Sequence, residues 1–449
     1  MGSTPNKVES VPDSRDNTGP VHTPRRFAVV LISGLIAASS LAIAPPASAN
    51  GCIGGNFPSG DGSAGSPYEI ADAGDLVYLA SDTNCFGYNY RQTANIVLTG
   101  AWTTPIGDST DSFAGTYDGG GFSISNLNIS LPTTGQVGLF GFIRGATLTG
   151  INISSGSITG GDLVGGLVGQ AANSSITRSS SAASVSGGSN VGGLVGSIGA
   201  ATPGTASISH SYATGDVTGR VSGSTGNYIG GLAGTVYQMT VSDVYATGAV
   251  SGNLQTAGLF GEYASSTLTR GYVIGRVTNS GGSSAGVVGQ ITGTLSTSNF
   301  TWNVTTTGQT QWGGPIEDNV VGNTTEAMKS ISTYRDLGWS IGSLWTGNTT
   351  WVICPQANDG YPFLSAFYTA QTAPCINRSG PPPDVMQQVG RAGDQTCVSA
   401  GTAEMNIGGV ASGGWGQSWA QWMNGGTGGF VCNRTLYYNV QYGRWEVRT

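Results

Sequence analysis

The sequence is poor in charged residues and in histidine. Only 9% of its 449 residues are charged, two are histidines, and the formal net charge is −7. This acidic balance argues against nucleic acid and anionic membranes as partners. Beyond residue 49 the only histidine is His210, and no Cys-x-x-Cys spacing occurs, which excludes the common zinc motifs. We therefore expect neither a metal nor a cofactor.

Long apolar runs are also scarce. The one long run, residues 27–44, follows Arg25-Arg26 and precedes Ala47-Ser48-Ala49, the pattern of a secretory signal cut after Ala49. The paired arginines leave twin-arginine export open beside general secretion. No other run reaches the ~20 residues that cross a bilayer. We expect a secreted protein, extracellular or held on the cell wall without a covalent anchor, and its oligomeric state stays open.

Cysteine is rare but even in number. An exported chain with six cysteines is expected to form disulfides. Proximity along the chain suggests Cys52 with Cys85, Cys354 with Cys375 and Cys397 with Cys432, although about fifteen pairings are formally possible. All six lie outside the repeats described next, so we expect the disulfides to staple the irregular ends of the chain.

Glycine, by contrast, is abundant and recurs in a pattern. Among 75 glycines, the motif Gly-Leu-x-Gly begins at positions 138, 166, 193, 231 and 258, and a degraded copy begins at 286. Successive copies start 28, 27, 38, 27 and 28 residues apart. A period in this range indicates stacked repeat units and not a globule with one central core.

The repeats predict strands. Each contains short runs of β-branched residues punctuated by glycine, and none has a helical period. We predict an all-β fold, a β-solenoid of ~27-residue repeats and roughly seven to ten coils. Columns of Leu, Val and Tyr would line its core about 4.8 Å apart, with glycines at positive φ turning the corners. A flexible Gly/Ser-rich spacer is the alternative, but disorder does not require apolar columns in register.

A tyrosine column accompanies the glycine motif. Tyr245 and Tyr272 lie 14 residues after the start of their motifs, whereas Tyr212 lies 19 residues after Gly193. Extra residues near 200–205 and 219–226 explain the long 38-residue interval and predict two surface loops. Because these loops interrupt an otherwise uniform surface, we expect them to be the contact region of an adhesin.

These motifs resemble the GLUG repeat of bacterial secreted and surface proteins. The resemblance is carried by Gly-Leu-x-Gly followed by Tyr-Ala-Thr-Gly-x-Val, at residues 212–217 and 245–250, and by the flanking segments 65–70 and 359–364. It covers roughly residues 60–366. Proteins with this repeat include haemagglutinin-like adhesins and some immunoglobulin A peptidases, so the resemblance implies a fold but no single activity.

The expected organisation has six parts. They are a signal peptide (1–49), an N-terminal cap with the first coils (50–130), the GLUG-repeat solenoid (131–313), its C-terminal cap (314–375), a proline-rich linker (376–383) and an aromatic-rich module (384–449). Short helices starting near Asp72 and Asn323 are expected to cap the solenoid, since open strand edges invite aggregation.

The last module has an unusual aromatic cluster. Trp415, Trp419 and Trp422 lie within eight residues of one another, and aromatic faces of this kind stack on sugar rings, which makes them candidate glycan contacts. The alternative is that they form the core of a small domain stapled by Cys397 and Cys432.

No catalytic constellation stands out. A polysaccharide hydrolase or lyase needs clustered carboxylates, but the acidic residues of the repeats fall at different offsets. Arg178, Asp243 and Arg270 share one offset, which a surface salt bridge explains as well as a functional site does. His210, which a Ser-His-Asp triad would require, is interpreted as a surface residue.

The sequence therefore favours a secreted cell-surface or wall-associated repeat protein that adheres to, or binds, glycan or matrix. Two alternatives stay open, namely a β-helix polysaccharide lyase or hydrolase and a purely structural wall component.

Overall fold

The computed structural model describes residues 52, 57, 59–219, 228–294, 296–315, 319–369 and 372–375, together with short strands further on. The chain divides into residues 1–45 and 46–449, and every described residue belongs to the second unit. The expected signal peptide and linker, Trp415, Trp419, Trp422 and the Cys397–Cys432 pair lie outside the described residues. Among the helices that are described, none combines the length and apolarity needed to cross a membrane.

The described chain winds into a β-solenoid of about seven turns with a repeat of about 28 residues. Four sheets of parallel strands run along it, and each coil adds strands to successive sheets. Sheet 1 is formed by Tyr68–Ile70, Asn89–Gln92, Ile96–Val97, Thr116–Asp118, Ser123–Ser125, Thr147–Thr149, Asn152–Ile153, Ser175–Thr177, Ser180–Ser181, Ser207–Ala213, Thr240–Ala246, Thr267–Val273, Ser296–Asn303 and Val320–Asn323.

The other three sheets have shorter strands. Sheet 2 contains Leu127–Ser130, Gly156–Thr159, Ser184–Gly187, Val217–Gly219, Val250–Gly252 and Val277–Asn279. Sheet 3 contains Val164–Gly165, Val191–Gly192, Tyr228–Gly230, Gln255–Ala257 and Ser284–Ala285. Sheet 4 contains Phe140–Arg144, Val168–Ala172, Val195–Gly199, Ala233–Tyr237, Phe260–Ala264 and Val288–Thr292.

Equivalent residues of successive coils pair side by side, so each apolar position of the repeat becomes a column inside the solenoid. The second residue of the glycine motif forms one such column, fully buried at Leu139, Leu167, Leu194, Leu232, Leu259 and Val287. Burying one side chain of this size contributes about 1.5–3 kcal/mol. These columns therefore hold the coils in register.

The glycines of the motif are required for close approach between coils. A Cβ on Gly166 would overlap Ser181 Oγ and the Gly193 carbonyl oxygen, and a Cβ on Gly169 would overlap the Gln136 backbone. Neither glycine has a positive φ. Positive φ therefore does not explain these two glycines; the neighbouring coil leaves no room for a side chain.

Positive φ occurs at other glycines, such as Gly145, Gly150 and Gly156, and also at residues with side chains in the middle of the sheet 1 segments. The latter are Arg178, His210, Asp243, Arg270 and Asn299, with φ between 48° and 60°. The kink resets the alternation of side chains, so Val244 and Ala246 lie in the interior cluster while Tyr245 belongs to a cluster on the outside.

Helix α1, Ala73–Ser81, begins at the predicted N-cap Asp72. The carboxylate of Asp72 accepts from the backbone N–H groups of Gly74 and Asp75, and Asp75 accepts in return from Asp72. Leu76 and Leu79 are fully buried in the interior cluster at the N-terminal end of the solenoid. A 3₁₀ turn, Thr83–Cys85, follows, and the Cys52–Cys85 disulfide ties the preceding chain to it.

The chain after the last coils lies along the outer face of sheet 1. Helices α2 (Val304–Thr307), α3 (Thr325–Met328) and α4 (Ile331–Asp336) are followed by strands Ile341–Gly342, Trp351–Val352 and Phe363–Leu364 and by 3₁₀ turns Asn358–Gly360 and Ser365–Phe367. We call residues 325–368 the outer segment. Met328 and Tyr334 join Tyr245 and Tyr272 in one buried cluster, and the Cys354–Cys375 disulfide closes this region.

Short antiparallel pairs are also described further along the chain. They join Arg391–Ala392 to Gln395–Thr396, Val398–Ser399 to Phe430–Val431, and Thr435–Asn439 to Arg444–Arg448.

Candidate binding site

Three tyrosines of successive coils stack on the outside of sheet 1. The ring centroids of Tyr212 and Tyr245 are 4.5 Å apart and the planes differ by 7°. The same values for Tyr245 and Tyr272 are 4.9 Å and 5°. We call these residues the tyrosine stack. The prediction that this column lines the solenoid core is wrong, because the positive-φ residue before it turns the rings outward.

The outer segment covers most of the tyrosine stack. Trp351 packs 6.0 Å from both Tyr245 and Tyr272, and Tyr361 continues the stack beyond Tyr272 at 6.3 Å. The Tyr272 hydroxyl donates to the Pro362 carbonyl oxygen at 2.7 Å and accepts from the Asn358 amide at 2.8 Å. Tyr272 is fully buried as a result.

Burial favours the protonated form of these phenols. Desolvation raises the pKa of Tyr245 and Tyr272 well above its ordinary value, and the nearby tyrosines raise it further. Desolvation also raises the pKa of Tyr212, although hydrogen bonds to Ser180 and Tyr245 act in the opposite direction. The three phenols therefore stay protonated further into the alkaline range than exposed tyrosines do.

Asp243 joins the coils to the outer segment. Its side chain is only 3% exposed and forms a two-point ion pair with Arg270, with N–O distances of 2.8 and 2.9 Å. The Trp351 indole donates to the same carboxylate at 2.9 Å. The third neighbour is His210, whose Nε2 lies 4.0 Å from Oδ2. A carboxylate held in this way serves to position the outer segment.

The interpretation of Arg178, Asp243 and Arg270 as a surface salt bridge is thus wrong for Asp243. The shared offset did bring Asp243 and Arg270 into contact, but the outer segment buries the carboxylate. His210 is 37% exposed and borders this site. The shared offset of Asp243 and Arg270 was the sequence signal for this ion pair. It could not indicate the contact with Trp351, which lies 108 residues further along the chain than Asp243.

A cleft opens where the outer segment stops covering sheet 1. Its volume is about 310 Å³. The floor is formed by small side chains of three coils, Asn152, Ser154, Ser180, Ala182 and Thr214, and the wall by Tyr212, Tyr245, Asn358, Phe363 and Tyr368. No lining residue among those the structure describes carries a charge.

The floor and wall are organised by direct contacts. Ser180 donates to the Asn152 side-chain oxygen at 3.0 Å, which fixes the Asn152 side chain on the floor. On the wall, Tyr368 packs edge-on against Phe363 at 5.1 Å. Hydroxyl and amide groups next to aromatic faces are suited to a ligand that both hydrogen-bonds and packs against rings.

The other predicted sites lie elsewhere or outside the described residues. In the 200–205 loop the Ala201 backbone N–H donates to the Asn173 side chain, and this loop does not line the cleft. Most of the second loop, 219–226, is not described. Among the acidic residues of the repeats, Glu262 is half-buried on sheet 4, where desolvation raises its pKa and a hydrogen bond from Thr292 opposes that shift.

The described residues contain one group with the spacing of metal ligands, Cys52, Asp82 and Cys85. Its two cysteines form a disulfide, so their sulfur atoms are not thiolates.

Comparison with known proteins gives partial matches. The family described as the GLUG motif matches residues 187–218. Halomucin of Haloquadratum walsbyi is 31% identical over 163 residues, and the match covers 28% of this chain but only 2% of halomucin. A crystal structure of a Bacteroides ovatus protein, provisionally named an immunoglobulin A1 protease, matches with a TM-score of 0.48 and 18% identity over 71% of this chain and 98% of that one. With the strand topology described above and the match at residues 187–218, the chain is a β-solenoid that carries a GLUG motif.

Proposed function

We propose that this protein is a secreted binding scaffold of the cell surface or wall, which adheres to glycan or matrix through the outer face of its solenoid. The observation that carries the proposal is the uncharged cleft beside the tyrosine stack. It combines aromatic surface with several hydroxyl and amide groups, as ligand sites do.

Two further features support an extracellular binding role. The Cys52–Cys85 and Cys354–Cys375 disulfides suit an oxidising compartment. The buried carboxylate Asp243 is already engaged by Arg270 and Trp351, which suits a structural role better than a catalytic one. Because side chains of the floor and the wall already contact one another, less ordering is needed when a ligand binds.

The proposal is tested by incubating the purified full chain with insoluble bacterial-wall and plant polysaccharides and with surfaces coated with host matrix proteins. We expect the chain to be retained on at least one of them, with no soluble fragments detected by mass spectrometry. Release of oligosaccharide fragments would support the lyase or hydrolase alternative. Retention on none of the materials would favour the purely structural wall component.

A further inference from the structure

We infer that the cleft beside the tyrosine stack takes a neutral saccharide chain, which lies along the solenoid axis across three coils. This inference rests on the proposed function and adds the chemical class of the ligand and the residues that recognise it.

The charge of the lining selects the ligand class. Phosphate, sulfate and carboxylate groups are bound by Arg, Lys or backbone N–H groups at helix starts. The described lining instead consists of Ser, Thr, Asn, Ala, Tyr and Phe side chains. Such groups exchange hydrogen bonds with hydroxyls without the desolvation cost of a buried charge. A polyol without charge matches this surface, whereas an anionic polymer does not.

The backbone of the floor argues against an extended peptide. A peptide adds to a sheet by pairing with a free strand edge. Here Asn152 pairs with Ser180 and Ser180 with Tyr212, so the floor is the face of a sheet whose ladder continues through three coils. Side chains alone are left to recognise a ligand, which is how hydroxyl-rich rings are bound.

The floor also repeats at the spacing of the coils. Asn152 and Ser180 occupy one column, and Ser154, Ala182 and Thr214 occupy the column two residues on. Neighbouring coils are about 4.8 Å apart, which is comparable to the length of one pyranose unit in an extended chain. Successive rings would therefore meet the side chains of successive coils, with the polar groups of Asn152 and Ser154 on the first and of Thr214 on the third.

The wall supplies the apolar contact. Tyr368 is half-buried and packs against Phe363, so its ring is held beside the floor. Pyranose rings have C–H faces that pack on aromatic rings. A cleft of about 310 Å³ is near the lower limit for ligand sites, roughly 300–1,000 Å³, and fits one or two rings. We therefore expect recognition of a short stretch or an end of a chain.

Ala182 allows a steric test that leaves the core intact. It is exposed and lies on the floor, so Ala182→Phe should fill the cleft without entering the interior. Ala101→Phe is the matched control, since Ala101 is also exposed and lies on an early coil outside the cleft. Asn152→Ala, which removes the amide of the floor, is a second variant. Thermal unfolding of each variant first establishes that it is folded.

Binding of the full chain to cello-, chito- and manno-oligosaccharides is measured by calorimetry, with oligogalacturonate as the anionic comparison. We expect a neutral oligosaccharide to bind, Ala182→Phe to weaken it at least about tenfold, or ~1.4 kcal/mol, and Ala101→Phe to leave it unchanged. Asn152→Ala should weaken it less than Ala182→Phe does.

The other outcomes separate this inference from the proposed function. Equal binding by wild type and Ala182→Phe would overturn the cleft assignment and direct attention to Trp415, Trp419 and Trp422, while the scaffold function would stand. Binding of the anionic oligomer alone, or of matrix protein alone, would overturn the ligand class only. Absence of binding in this and in the retention experiment would remove both.

Discussion

Asp243 occupies a backbone position that few side chains tolerate. Its φ of 54° lies in the left-handed region, where Asp and Asn are favoured over most other residues. Arg178 and Arg270, which share the column, lack that preference. For Arg270 the ion pair with Asp243 offsets a backbone cost of order 1–3 kcal/mol.

Replacing Asp243 by Asn tests this carboxylate. Asn keeps the shape and one acceptor for Trp351 but leaves the Arg270 guanidinium without its counter-charge. Because Arg270 is 35% exposed and can be partly rehydrated, we expect a loss of about 2–3 kcal/mol in the free energy of unfolding, below the full cost of breaking a buried pair. Urea unfolding measures it.

The matched control is Asp118→Asn. Asp118 pairs with Arg91 at 3.8 Å, but both side chains are exposed, so the change should stay within about 0.5 kcal/mol. Equal losses in the two variants would contradict the buried role of Asp243.

The buried tyrosines predict sensitivity to alkali. The raised pKa of Tyr272 means that the folded state holds its phenolic proton above pH 10, whereas the unfolded chain releases it. The contribution of the Tyr272 phenol to the free energy of unfolding is therefore fully present below about pH 10, and it is lost as the pH rises beyond that value. We expect the free energy of unfolding, measured from about pH 8 to 11, to decline less steeply in Tyr272→Phe than in wild type.

Tyr237→Phe provides the comparison for this prediction. Tyr237 is 42% exposed, so its removal should leave the alkaline decline as in wild type. If Tyr272→Phe behaves in the same way as Tyr237→Phe, the buried phenol does not contribute to the decline.

At the scale of the coil, the glycine motif is a packing element. Gly166→Ala places a methyl group against Ser181 and the backbone of the next coil. Overpacking of this kind should lower the free energy of unfolding by about 1–3 kcal/mol or more. Gly87→Ala is the control, because no atom lies within 4 Å of the added Cβ and the change should be neutral or slightly stabilising. Thermal unfolding distinguishes the two.

The same elements show what the sequence could predict. Leu167 and Gly166 belong to a local motif whose spacing is the coil itself, so the solenoid, its period and its interior leucine column followed from the sequence. The orientation of Tyr245 did not, because a positive-φ residue two positions earlier resets the alternation. Its burial depends on Trp351, more than one hundred residues away, and no local pattern reports that contact.

At the scale of the whole molecule, equivalent coils stack on one another, so one coil can be removed and its two neighbours can still pair. Deleting residues 166–192 joins Gly165 to Gly193 and restores every column, since equivalent residues replace one another. We expect a soluble, folded β protein that lacks the cleft residues Ser180 and Ala182. Circular dichroism and size-exclusion chromatography measure folding, and calorimetry measures the loss of oligosaccharide binding.

A half-coil deletion, residues 166–179, is the control for that experiment. It places each strand against the wrong sheet and moves apolar side chains out of the interior, so the product should misfold. Equal tolerance of both deletions would show that the coil is not the unit of stability.

The outer segment also fixes the position of the cleft along the solenoid. It is fastened at Asp243 and Tyr272, so the distance from the cleft to the C-terminal end of the solenoid is fixed by contacts to particular coils. Nothing fastens it to the coils before Asn152 in the part of the chain that the structure describes. Whole repeats inserted before Asn152 would therefore lengthen the solenoid without changing the cleft or its distance from the C-terminal end.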